Sequence, residues 1–167
     1  MNDRVRAHGH GSWAVLHHLH GLRVPALDLC QPIDHRSTRH SDRETAIKLA
    51  LAPAVGCMLS AGGKPEHWVT RADPGVAHAL ALTGKDGDVA VDALEPIFLD
   101  THATLASPRI WSCVSSIAKA ALRAPEGKME SGRVAAVIRQ SLAERHHADF
   151  VPPMPARKVY VTGEPRR

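Results

Sequence analysis

Between residues 42 and 60 apolar side chains occupy most positions: Ile47, Leu51, Val55 and Met58 line one helical face, and Leu49, Cys57 and Leu59 fill much of the rest. A helix that is apolar nearly all round belongs in the middle of a bundle. Ser41 and Glu44 have the spacing of a capping box, in which each side chain satisfies an orphan backbone donor of the other. Pro53 is expected to kink the helix, because its ring removes one donor and clashes with the preceding turn, and Gly62-Gly63 ends it.

The next helix starts at Asp73 as cap, with Pro74 in its first position, and stops at Gly84. A tight turn, GKDGD, follows, and Asp92 with Glu95 offers the cap of a third helix running through Thr104. A hairpin over residues 80–91, turning at Asp86-Gly87, is the competing expectation. Ser107-Pro108 opens a fourth helix with the stripe Ile110, Val114, Ile117, Ala118 and Ala121. After the break APEGK a fifth helix spans residues 131–147, with Val134, Ile138 and Leu142 inward.

The two ends read differently. Residues 1–12 are polar, Gly-rich and without period, which predicts a mobile segment, and residues 13–27 are short, apolar and open to either strand or helix. Residues 31–43 read as a loop, and residues 148–167 as a Pro-rich extension with a possible strand near 158–162. The expectation is one mainly α domain, a compact orthogonal bundle of about five helices with a minor β element.

Composition narrows the class. Apolar residues make up 44% of the chain, enough for an ordinary core, but aromatic residues are only 4%, so the core must be aliphatic and a stacking platform for single-stranded nucleic acid is disfavoured. Three cysteines without a C-x-x-C are not a disulfide scaffold and suit a reducing cytosol. The start lacks the continuous apolar run of a secretory signal, and no stretch reaches the ~20 apolar residues that span a bilayer. A cytoplasmic protein with no membrane partner is expected. Charge is separated along the chain: residues 84–106 hold Lys85 against Asp86, Asp88, Asp92, Glu95 and Asp100, whereas residues 107–147 hold seven basic side chains against three acidic ones. Such a division can bind two unlike partners or bring copies of the chain together.

Twelve histidines, six of them His8, His10, His17, His18, His20 and His35, make imidazole abundant near the start. Cys30, His35 and His40 are spaced C-x4-H-x4-H, with His17, His18 or His20 available as a fourth ligand, a set that would suit zinc. No second cysteine lies nearby, and Arg36 and Arg39 oppose a cation.

Arg139 and His146 form R-x6-H, nearly two helical turns apart and so on one face. Here the chain resembles the R-x4–6-H motif of HEPN ribonucleases; the resemblance covers two residues and a helical fold class. It implies that Arg139 would hold a scissile phosphate and His146 move a proton without a metal, in a homodimer. Arg133, Arg139, Arg145 and His146 also form a basic run that could follow a nucleic-acid backbone, although the break before it is longer than a helix-turn-helix allows. The helix, GKDGD loop and helix resemble an EF-hand in shape, but Leu82 and Ala93 fall where carboxylates are required. Ser116 and Lys119 match S-x-x-K of penicillin-interacting enzymes, without the companion motifs and with Lys119 opposite the apolar stripe. No catalytic set converges, so the expectation is a small non-enzymatic binding protein, a regulator, inhibitor or immunity-type factor of bacterial or phage character, acting through charged surfaces on another protein. RNA cleavage and metal binding are the alternatives.

Overall fold

The Gly-rich start, which has no apolar period, folds as a deeply enclosed helix. In the computed structural model, which describes residues 2–34, 42–63, 65 and 73–148, with side chains of the last helix as far as Glu144, this helix is α1, Asp3–Leu19. It is capped by Asn2, whose side chain accepts from the Arg4 N–H at 3.0 Å, and every residue from Ala7 to His17 is buried. Residues 1–12 are expected to form a mobile segment, and residues 3–12 lie instead within this helix. Periodicity is absent because α1 packs against both α2, Arg43–Ser60, and α5, Pro108–Arg123, and so has no solvent face along its middle.

Glycine makes that double contact possible. A Cβ at Gly9 would lie 3.1 Å from the Pro53 carbonyl oxygen of α2, and one at Gly56 would lie 2.8 Å from the His8 carbonyl oxygen of α1. Both fall inside ordinary contact distance, so a methyl at either position would push the backbones apart.

α2 is sheathed by α1, α3 and α4, as its all-round apolar pattern predicts. Its cap is Asp42, not Ser41: the carboxylate accepts from the Glu44 and Thr45 N–H groups and from the Thr45 hydroxyl, at 2.7 Å. Those bonds, the one from the Thr45 side chain foremost, hold the Asp42 carboxyl below its ordinary range. The helix runs through Pro53 without interruption.

α3 is Pro74–Thr83, with Asp73 as its cap and Gly84 closing it at φ 66°, as expected. α4, Gly87–Ala106, begins earlier than Asp92 and replaces the hairpin considered for residues 80–91. The reason is its buried set, Ala90, Leu94, Phe98, Thr101 and Leu105, which recurs at helical spacing and outweighs the turn chemistry of Asp86-Gly87. α5 buries Cys113, Val114, Ile117, Ala118 and Ala121. α6, Ser131–Ala148, packs on α5 and buries Val134 and Ile138.

The helices therefore number six among the described residues, one more than expected, and the fold is mainly α. Its β element is a two-residue antiparallel pair, β1, Leu27–Asp28, and β2, Lys128–Met129, with Leu27 opposite Met129. Both apolar members are buried, so the pair ties the segment after α1 to the break before α6. The strand considered near 158–162 lies outside the described residues. Among the described residues no helix is long and apolar enough to cross a membrane.

Candidate functional site

The outer side of α4 combines acidic and apolar exposure. Asp88, Asp92, Glu95 and Asp100 are its charged residues, and the helix carries no Lys or Arg. Val89, Pro96 and Ala103 are exposed and seven residues apart, which aligns them along one strip of the helix, and exposed Leu99 lies beside it. Val89 is 60% and Leu99 46% accessible, a high exposure for large aliphatic side chains that the strip brings together. Among the described residues one of these acids is in an ion pair: Lys48 of α2 bridges Glu44 at 2.7 Å and Asp100 at 2.8 Å. The hydrogen bond to Asp100, then that to Glu44, raises the Lys48 ammonium above its usual value. Asp88, Asp92 and Glu95 are exposed, while α4 is tied to α2 from one edge.

A cleft of about 300 Å³ opens where α1, α2, the segment after β1 and the start of α3 meet. Pro32, Ile33, Pro53 and Pro74 give it apolar walls, and Arg6, His10 and Asp73 bring polar groups to it. The Arg6 Nη1 donates to the Leu29 carbonyl at 3.0 Å, which fixes the guanidinium at the end of β1. Asp73 accepts the Gly75 N–H at 2.7 Å as the cap of α3. The sequence marks Asp73, Pro74 and Pro53 for their helix-starting and helix-bending roles and His10 as one of the histidines near the start, but not as members of one cleft; Arg6 and His10, one turn apart, become a readable pair once residues 3–19 are known to be helical.

The proposed metal ligands divide between different surroundings. Cys30 is exposed on the rim of this cleft, with its Sγ donating to the Glu126 carbonyl at 3.6 Å. His17 is buried against Trp13, with ring centroids 5.0 Å apart, and borders a second cavity beside Arg23 and Pro25. His20 is exposed at the end of α1, and His35 and His40 lie outside the described residues. Among the described residues no three His, Cys, Asp or Glu side chains are grouped to hold a metal ion. Burial explains part of the histidine richness: His8 stacks on Trp111 of α5 at 5.3 Å, and its Nδ1 is bonded to the Arg4 carbonyl.

Arg133 and Arg139 are exposed on α6. That helix also contains Arg145 and His146, whose side chains lie outside the described residues, so Arg139 and His146 share one helix and nothing further is placed. Ser116 donates to the Ser112 carbonyl at 2.9 Å, and Lys119 is exposed. Cys113 is a core residue whose burial pushes the thiol up to about 11, against a smaller opposing effect of Ser141. Compared with known proteins, the chain matches no family model, no curated sequence and no solved structure.

Proposed function

We propose that this is a small non-enzymatic binding protein that docks another protein on the outer face of α4. One observation carries the reading: Val89, Pro96, Leu99 and Ala103 are exposed on a helix whose charged residues are all acidic. An apolar strip bordered by one sign of charge is matched by a segment with apolar residues between lysines and arginines, the acids steering encounter and the strip supplying the contact. The partner is therefore basic and presents an amphipathic surface. Three free thiols fit a reducing compartment, and the reading places the protein in the cytoplasm as a regulator, inhibitor or immunity-type factor.

The test is site-specific photo-crosslinking in the source cell from position 99, with position 139 as the control on α6, followed by identification of the adduct and measurement of its affinity. The identified protein should bind the Asp92→Lys, Glu95→Lys double variant at least about tenfold more weakly, with a shallower dependence on salt. An affinity within twofold of the original, or an adduct that forms equally from position 139, overturns the reading.

A further inference from the structure

The cleft between α1, α2 and the start of α3 holds opposite charges that do not meet. Arg6 and Asp73 both border it, yet no ion pair joins them; among the described residues the Arg6 side chain makes a single hydrogen bond, to the Leu29 carbonyl, and the Asp73 carboxylate accepts only from the Gly75 N–H. A guanidinium has five N–H donors and a carboxylate about four acceptor positions, so both groups keep capacity to spare. Each is also held in place by the bond it does make, Arg6 to the end of β1 and Asp73 to the first turn of α3. Pro32, Ile33, Pro53 and Pro74 line the same cleft with rigid apolar surface, and His10 and Gln31 add polar groups to its lining.

We propose that this cleft binds a free α-amino acid with an aliphatic side chain. The carboxylate takes the spare N–H groups of Arg6, the ammonium takes the open oxygen of Asp73, and the side chain rests on the prolines and Ile33. A ligand of this kind supplies both charges at a fixed separation, which a plain anion or cation does not, and its side chain displaces water from an apolar wall. The cleft volume of about 300 Å³ stands at the small end of ligand sites, a size that suits one amino acid and excludes large cofactors. Arg6 and Asp73 act here as binding residues for a small molecule, a role separate from the docking face on α4.

The experiment uses the full chain and L-leucine as the probe, measured by calorimetry and by ligand-observed NMR, with N-acetyl-L-leucine and L-leucinamide as comparators. L-leucine should bind saturably, and the acetylated compound, without its ammonium, and the amide, without its carboxylate, should each bind at least about tenfold more weakly, as expected for loss of a charge-assisted contact. Arg6→Met should abolish the preference for leucine over the amide. Asp73→Asn should abolish the preference over the acetylated compound, because asparagine still caps α3 but no longer offers a charge. Absence of saturable leucine binding overturns the proposal, as does equal binding of either comparator to the unsubstituted protein, a result that does not depend on how any variant folds. Unchanged ligand preference in both folded variants overturns it too.

Discussion

The contact of α1 with α2 makes the substitution Gly56→Ala a severe one for so small a change. The added methyl would lie 2.8 Å from the His8 carbonyl oxygen and overlap the Ser12 side chain. The carbonyl belongs to the backbone of an enclosed helix and cannot swing aside as a surface side chain does. Overpacking of this kind costs about 1–3 kcal/mol, and replacing a helical glycine returns about 0.5–1 kcal/mol. Because both contacts fall below the shortest distance real Cβ atoms show, the clash belongs near the upper end, leaving a net loss of about 2 kcal/mol. For a chain of this length that lowers Tm by about 4–8 °C. Gly132→Ala is the matched control: it lies in α6, is exposed, and its methyl would meet nothing within 4 Å, so it should be neutral or slightly stabilising. Thermal melts and urea titrations of the two variants give the comparison. A Gly56→Ala protein as stable as the Gly132→Ala protein refutes the close helix crossing.

Other consequences are open to simple measurement. Ser12→Ala should raise stability by about 1 kcal/mol, since the buried Ser12 hydroxyl has no hydrogen-bond partner among the described residues and its removal ends a desolvation cost; a destabilised variant in urea titration would contradict this. Gly127→Ala should lower stability by about 1–2 kcal/mol, because Gly127 has φ 68° and a methyl there would also press on Leu29 at 3.1 Å. Iodoacetamide labelling followed by mass spectrometry should modify Cys30 quickly and Cys113 only on unfolding, its thiol being buried and protonated; equal rates would place Cys113 at the surface. The Lys48 ammonium is raised by Asp100 and Glu44, so its contribution is complete below the unfolded value near 10.5 and fades as pH rises through the higher folded value. The stability difference between the protein and Lys48→Met should therefore be constant at neutral pH and shrink in alkali, and a difference that persists unchanged there would remove the bridge as its source.

How much of the fold could be read in advance depended on whether each helix kept a solvent face. α3 was legible to the residue, since Asp73-Pro74 and Gly84 are local signals that need no tertiary information. α5 and α6 were legible because one side of each is polar. α1 failed for the opposite reason: packed against α2 and α5 it has no polar side along its middle, and His8, Gly9, His10 and Gly11 look like a flexible run unless their neighbours are known. The β1 and β2 pair is two residues long and unites segments about 100 residues apart, beyond any local pattern. At the candidate sites, acidic residues of α4 were visible as a charge block, whereas the exposure of Val89 and Leu99 required the buried face to be fixed first.

The helix crossing and the cleft share residues, and that overlap orders the experiments. Gly9 lines the cleft and also meets Pro53 and Cys57, both of which line it as well, so the point where α1 and α2 touch is the floor of the proposed ligand site. Gly56 lies at the same crossing but outside the cleft lining. A methyl at Gly9 would therefore strain the packing and reshape the floor together, with its Cβ 2.9 Å from the Cys57 Sγ. A methyl at Gly56 would act on leucine affinity only through the separation of the helices. If the cleft is shaped by the close crossing, both variants lose leucine binding while remaining folded at low temperature; if binding depends only on the residues that line the cleft, only Gly9→Ala does. The Asp73→Asn and Arg6→Met comparisons then separate charge recognition from shape, because neither substitution touches the crossing.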